Sequence, residues 1–65
     1  MKIQYFQDTD TLCIELRAAI VAESRDLDEN TILDLDSDGH ICAITIEHAR
    51  ERADIPKFSF EQIPA

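Results

Sequence analysis

The sequence predicts an α+β fold that is mostly β, with about five strands in an antiparallel meander and one short C-terminal helix. Apolar and β-branched residues recur in short runs at intervals of about 8–12 residues, which is typical of strands joined by turns. Polar, turn-forming residues separate these runs, and one charged segment without β-branched residues lies near the C-terminal end. The chain has 65 residues, which is enough for one domain with a thin core.

The first two strands are expected at Lys2 to Gln7 and at Thr11 to Leu16, with the acidic stretch Asp8 to Asp10 between them. Apolar residues alternate in both runs, so that Ile3 and Tyr5 share one face of the first strand. Two such runs joined by a short polar loop predict a β-hairpin.

The middle of the chain predicts three more strands, at Ile20 to Leu27, Thr31 to Asp36 and His40 to Ile46. Turn-forming residues separate them, first at Asp28 to Asn30 and then in the stretch DLDSDG. The junction Arg17 to Ala19, which precedes the third strand, contains neither Gly nor Pro. Its conformation, a bend or a bulge, therefore stays open.

The segment from Glu47 to Asp54, EHARERAD, carries the helix signal, because it has two alanines, charges of both signs and no β-branched residue. Ala49 and Ala53 fall at helical spacing and are expected to face the sheet. Pro56 disfavours helical geometry in the residue before it and so ends the segment. About two helical turns do not persist alone in water, so the helix requires the sheet.

These elements place one domain at residues 1–55 and an apolar tail at residues 56–65. The tail, KFSFEQIPA after Pro56, carries Phe58, Phe60 and Ile63. Three large apolar side chains in nine residues are unusual for a solvated end, so we expect the tail to dock on its own or a partner chain.

The net charge is −8. The excess of negative charge is concentrated in residues 23–38, which contain seven acids and a single base, Arg25. Nucleic acids and anionic membranes are excluded as partners, because both are bound through Lys and Arg. A basic protein partner would be attracted. The competing interpretation is that the acids only keep strands and turns in solution.

No enzyme or cofactor signature is present. Gly39 is the only glycine, so no phosphate-binding loop exists, and neither His40 nor His48 has a second histidine at ligand spacing. The start of the chain lacks the apolar segment of a signal peptide, and we expect a cytoplasmic protein. Cys13 and Cys42 would then be reduced, each as a small buried apolar residue in a strand.

The stretch DLDSDG matches the opening of a calcium-binding EF-hand loop through Asp34, Asp36, Asp38 and Gly39. The twelfth loop position falls on Thr45, where a bidentate Glu is needed, and the flanking runs predict strands instead of helices. A hairpin turn in which Asp36 caps backbone N–H groups accounts for the same residues. The hairpin turn is our interpretation, and a metal site at the three aspartates is the alternative.

The ordered motifs KIxY, LxIxL, VAES, ILDLDxDG and IxxIxIxxA together resemble a family of short prokaryotic proteins, the domain of unknown function 2283. The resemblance covers residues 1 to about 53 and departs at residues 17–20. It implies a small β-rich fold without an established activity or defined catalytic residues. Members are thought to accompany small toxin-like genes, which suggests an antitoxin role. The matching residues are Lys2, Ile3, Tyr5, Leu12, Ile14, Leu16, Val21 to Ser24, Ile32 to Asp36, Asp38, Gly39, Ile41, Ile44, Ile46 and Ala49.

We therefore expect a non-enzymatic protein-interaction module with no cofactor, whose acidic hairpin meets a basic partner such as a small RNase-like toxin. A short helix covers only part of a sheet, so we also expect a homodimer. The candidate contact residues are Glu23, Asp26 and Asp28 for the basic partner, and Phe58, Phe60 and Ile63, with Phe6, for the second chain.

Overall fold

The computed structural model describes all 65 residues and contains one antiparallel five-stranded sheet. One turn of 3-10 helix, called the C-terminal turn here, follows the last strand, so the prediction of a mostly β, five-stranded antiparallel fold is confirmed. The strands are β1 (Lys2–Phe6), β2 (Thr11–Glu15), β3 (Glu23–Asp28), β4 (Thr31–Leu35) and β5 (Ile41–Glu47), and the C-terminal turn is Ala49–Glu51.

The strand order is β1-β2-β5-β4-β3, so β5 lies in the middle and β3 at an edge. The connection from β2 to β3 must therefore pass the ends of β5 and β4, a distance of about 14 Å at normal strand spacing. It begins where the Leu16 N–H donates to the Cys42 carbonyl and ends where the Ala22 N–H donates to the Leu35 carbonyl. Residues 17–22 cross this distance outside any strand, after a bend at Leu16 and Arg17.

The predicted third strand, Ile20 to Leu27, is therefore wrong at its start, since β3 begins at Glu23. Ile20 keeps 90% of its surface exposed and Val21 keeps 47%, because both lie in the crossing connection. Alternation of apolar residues does not distinguish a paired strand from an extended connection.

Two rows of side chains across the strands make up one face of the sheet, called the apolar face here. Residues paired across neighbouring strands share a face, and the register aligns both rows. The first row is Ile3, Ile14, Ile44 and Leu33, continued by Arg25 on the edge strand, and the second is Tyr5, Leu12, Ile46 and Thr31, continued by Asp28.

The opposite face, called the polar face here, carries mostly hydrophilic side chains and faces solvent. An antiparallel sheet commonly packs one face and leaves the other solvated. Members of this face include Lys2, Gln4, Phe6, Glu15, Thr45, Asp34, Ser24 and Asp26.

The predicted helix, Glu47 to Asp54, is reduced to the three residues of the C-terminal turn. Glu47 is held in β5, where its N–H donates to the Asn30 carbonyl and it pairs with Thr11. His48 then takes a left-handed conformation with φ 53°, which interrupts helical geometry. A single turn has few internal hydrogen bonds, so pairing with the sheet prevails over helix propensity. Ala49 does face the sheet, as predicted, and is fully buried.

The interior of this molecule is very small. Only Thr31, Leu35, Cys42 and Ala49 are buried, and the molecule measures 37 × 32 × 17 Å. Cys42 is thus buried, as predicted, whereas Cys13 is only half-buried. The structure holds no helix with the length and apolar composition that crossing a membrane requires. Residues 56–65 lie outside the strands and the C-terminal turn.

Candidate interaction surface

The acidic surface lies at the β3 edge of the sheet. All six residues of β3 are exposed, and the strand pairs on one side only, with β4. The structure divides the three predicted acids between the two faces. Glu23 pairs with Leu35 and Asp28 with Thr31, next to the apolar face, whereas Asp26 pairs with Ile32 on the polar face. The acids therefore surround this edge instead of forming one patch.

Two of these acids already have a cationic partner within the chain. A Glu23 carboxylate oxygen lies 2.9 Å from the Arg25 guanidinium, and an Asp28 oxygen lies 3.2 Å from that of Arg52. Asp26 forms no ion pair. The pKa of Asp28 is lowered, chiefly because its carboxylate accepts a hydrogen bond from the Asn30 N–H, with a smaller contribution from Arg52. Asp26 is thus the acid with the least internal compensation.

Asp36 organises the turn between β4 and β5. Its Oδ1 accepts hydrogen bonds from the N–H groups of Asp38, at 2.9 Å, and His40, at 3.0 Å. The Arg17 guanidinium forms an ion pair with Oδ2. These hydrogen bonds, that from His40 first, and the positive charge lower the pKa of Asp36. Gly39 adopts φ 82°, a left-handed conformation that suits glycine. The stretch DLDSDG therefore forms a hairpin turn between two strands.

A metal ion would find three ligand groups at this turn, although they are not the three aspartates predicted as the alternative. Oxygen and nitrogen atoms of Asp36, Asp38 and His40 lie within 4.8 Å of one another. Asp34 is separate, because it lies within β4 and accepts a 2.7 Å hydrogen bond from the Ser24 hydroxyl.

The apolar residues predicted to contact a second chain do not lie on one surface. Phe58 and Phe60 line a groove of about 890 Å³ between residues 53–60 and the apolar face near β1 and β2. Ile63 lies outside that groove and keeps 78% of its surface exposed. Phe6 belongs to the polar face, since it pairs with Thr11, and therefore does not share a surface with Phe58.

A cluster that sequence reasoning missed joins the β1–β2 turn to the C-terminal turn. Asp10 Oδ1 accepts hydrogen bonds from the Tyr5 hydroxyl, at 2.7 Å, and from the Arg50 N–H, at 3.1 Å. The hydrogen bond to Asp10 raises the pKa of Tyr5 and lowers that of Asp10. The Arg50 guanidinium lies 5.8 Å from the centre of the Tyr5 ring. The acidic turn predicts Asp10 as a loop residue, but no spacing indicates contact with Arg50, 40 residues later.

The fold and this surface define a small single-sheet protein with an acidic edge strand. Comparison with known families identifies it further: the family described as "Protein of unknown function (DUF2283)" matches residues 2–50. That match covers most of the chain, so this protein belongs to the DUF2283 family. Searches of curated proteins and of solved structures found no match.

Proposed function

We propose that this protein is a non-enzymatic interaction module that binds a basic protein through β3 and the β3–β4 hairpin. The observation that carries the proposal is the position of β3. It is an edge strand whose six residues are all exposed, and it contains Glu23, Asp26 and Asp28 against the single base Arg25. Both its side chains and its unpaired backbone groups are accessible to a partner.

Long-range electrostatics favour a partner of opposite charge. The chain carries a net charge of −8, which accelerates association with basic surfaces and suppresses association with acidic ones. Asp26 needs no internal ion pair to be broken before it meets a partner cation. Glu23 would have to exchange Arg25 for the partner, so its contribution to affinity is smaller.

The basic RNA-binding surface of a small RNase-like toxin has the chemistry that this edge would recognise. Covering such a surface would block access to RNA without any catalytic group on this chain, and this is the antitoxin role that the family resemblance suggests. The competing explanation is that charges on an edge strand only prevent pairing between sheets of different molecules.

The test compares two double variants with equal changes in net charge. Glu23→Lys with Asp26→Lys reverses the β3 edge, whereas Glu47→Lys with Glu61→Lys reverses exposed acids elsewhere. Each protein serves as bait in a prokaryotic lysate at low salt, and binding of the captured basic protein is then measured between purified components. Asp28 is left unchanged, because its ion pair with Arg52 also supports the fold.

We expect the wild-type protein and the Glu47/Glu61 variant to capture the same basic protein, and the Glu23/Asp26 variant to lose it. Binding should weaken as salt is raised, since exposed charges are screened. Equal binding by both double variants, or capture of no basic protein, would contradict the proposal.

Metal binding at Asp36, Asp38 and His40 is the second candidate, supported by the proximity of their ligand atoms. The arrangement is less favourable for binding a metal ion than the distances alone suggest. The Asp36 carboxylate already accepts hydrogen bonds from two N–H groups and forms an ion pair with Arg17. Calorimetry with calcium and thermal unfolding with a chelator separate the two candidates. Heat on calcium addition, together with a lower melting temperature in chelator, would favour the metal site.

A further inference from the structure

The apolar face lacks a second layer. Domains are stable when an apolar sheet face packs against another layer, yet Ile14, Leu33, Ile44 and Ile46 in the centre of this face are only half-buried. Ile3, at the β1 edge, keeps 38% of its surface exposed. The sheet is thus one half of the sandwich that its side-chain pattern requires.

The chain itself covers only parts of this face. The C-terminal turn covers one end, where Arg52 donates a 2.6 Å hydrogen bond to the Thr31 hydroxyl. The tail runs beside β1 and β2 but leaves the groove of about 890 Å³ between itself and the sheet. Phe58 and Phe60 border this groove while keeping 66% and 76% of their surfaces exposed. The tail therefore extends the apolar surface more than it covers it.

The accessible surface area of the chain indicates how much surface a second layer would cover. The molecule exposes 5297 Å², whereas a folded monomer of 7.4 kDa typically exposes about 4200 Å². The excess of about 1100 Å² compares with the roughly 800 Å² that each partner buries in a standard interface. The broad face of the molecule, 37 × 32 Å, has room for an interface of that size.

Charge distribution indicates which molecule completes the sandwich. The centre of the apolar face is uncharged. Arg25, Asp28 and Arg52 lie at its border, and one acid and one base, Asp54 and Lys57, line the groove beside β1 and β2. An apolar centre with a polar rim is the usual anatomy of a protein interface. At a net charge of −8, two copies of this chain repel each other through most of their surfaces. The apolar face is the surface on which they can meet without like-charge repulsion.

We propose that two copies of this chain form a two-fold symmetric dimer in which their apolar faces pack against each other. The occupant of the groove beside β1 and β2 is then an apolar side chain of the second copy. The centre of this interface, around Leu33 and Ile44, contains none of the acids of β3, although Arg25 and Asp28 of that strand lie at its border. Different measurements test the two proposals, so each can fail without the other.

The first test places a charge on either face of the same strand. Ile44→Lys introduces an ammonium group into the centre of the apolar face, while Thr45→Lys introduces it at the adjacent position on the polar face. Sedimentation equilibrium measures the mass of each protein at about 0.1 mM, and circular dichroism monitors the strand content. We expect twice 7.4 kDa for the wild type and for Thr45→Lys, and 7.4 kDa for Ile44→Lys, because an unpaired buried charge is costly.

A second measurement uses the wild-type protein, so the test does not depend on whether the Ile44→Lys variant folds. A sample of mixed labelled and unlabelled chains is examined for nuclear Overhauser effects between chains. The proposal expects such effects between the methyl groups of Ile44 and those of Leu33 or Ile14 across the two copies. A wild-type mass of 7.4 kDa, contacts between copies confined to the polar face, or a small apolar molecule retained by a single chain in native mass spectrometry would overturn it.

Discussion

Asp10 connects parts of the chain that are far apart in sequence. It adopts φ 52°, a left-handed conformation that Asp tolerates better than most residues. Its carboxylate accepts hydrogen bonds from Tyr5 in β1 and from Arg50 in the C-terminal turn, and its carbonyl accepts one from the Ala49 N–H. Local turn chemistry and long-range docking therefore depend on the same residue.

Asp10→Ala should lower the melting temperature by about 5 °C or more, because two donors lose their acceptor and Ala disfavours the left-handed conformation. Tyr5 reports the same contact directly, since it is the only tyrosine and the chain has no tryptophan. Its pKa, raised above 10.0 by Asp10, should fall towards 10.0 in an ultraviolet titration of the variant.

Asp8→Ala is the matched control for this prediction, because Asp8 is an exposed acid in the same turn. It should leave both the melting temperature and the Tyr5 titration nearly unchanged. Equal effects of the two substitutions would show that the turn needs negative charge in general and not the specific hydrogen bonds of Asp10.

Three aspartates make the stability of this protein depend on pH in the acidic range. The pKa values of Asp10, Asp28 and Asp36 are lowered from 3.8 in the folded chain, mainly by hydrogen bonds from Tyr5, Asn30 and His40. A lowered folded pKa means that the ionised form stabilises the fold at pH above the unfolded value, and that this stabilisation disappears as pH falls through the folded value.

The melting temperature should therefore stay level from neutral pH down to about pH 5 and fall steeply below about pH 4. Asp36→Asn should make the decline shallower, since one of the three contributing groups no longer titrates. Thermal unfolding followed by circular dichroism between pH 7 and pH 2 measures both curves. A wild-type melting temperature that rises on acidification would contradict the assignment.

Two residues of the turn determine the geometry of the β4–β5 hairpin. Asp36 supplies the acceptor for two turn N–H groups, and Gly39 supplies the left-handed residue before β5 begins. No atom beyond its chain neighbours lies within 4 Å of a Cβ built on Gly39. The glycine is thus required for its backbone conformation and not for lack of space.

Gly39→Ala should destabilise the fold by about 1 kcal/mol, the cost of left-handed backbone for a residue with a Cβ. Gly39→Asn should cost less, because Asn tolerates that conformation better. Urea unfolding curves for the two variants provide the measurement. A cost for Gly39→Asn at least as large as that for Gly39→Ala would indicate that side-chain space matters after all.

The third strand and the C-terminal helix mark the limit of prediction from local pattern. Turn residues and alternation predicted β1, β2, β4 and β5 to within a residue or two, because these signals are local. The start of β3 was wrong, since its bounds depend on where it pairs with β4, after the chain has crossed the ends of β5 and β4. The helix was too long, because hydrogen bonds to Asn30 and Asp10 hold Glu47 in the sheet and bring Arg50 against the first turn.

The candidate sites follow the same division. Composition located the acids of the β3–β4 hairpin, and DLDSDG was correctly interpreted as a turn. The placement of Asp26 on one face and of Glu23 and Asp28 on the other came only from the register. The cluster around Asp10 was not predicted from the sequence, since its members meet only after the sheet has formed.

The whole molecule is a thin layer with two unlike faces. Its shortest dimension is 17 Å, and it contains one sheet and one 3-10 turn but no second layer. Its stability should consequently depend on what covers the apolar face, and in a dimer the melting temperature rises with protein concentration.

Phe58→Ala combined with Phe60→Ala should weaken the proposed dimer at least about tenfold, because aromatic anchors contribute much of the energy of an interface. The strands should persist, since both residues lie outside the sheet. Phe6→Ala is the matched control, a partly exposed phenylalanine on the polar face that should leave association unchanged. Sedimentation equilibrium across a concentration series measures all three proteins. Equal weakening by Phe6→Ala would place the interface elsewhere.

Local chemistry in the chain determined the class of this fold, four of its strands, the two tight turns at DLDSDG and at Asp8 to Asp10, and the concentration of acids between residues 23 and 38. The strand order, the position of β3 at an edge, the length of the C-terminal turn and the contacts of Asp10 were decided only by tertiary structure. The reason is that pairing between distant strands selects among local conformations of similar energy, and no segment carries information about the strand that will lie beside it.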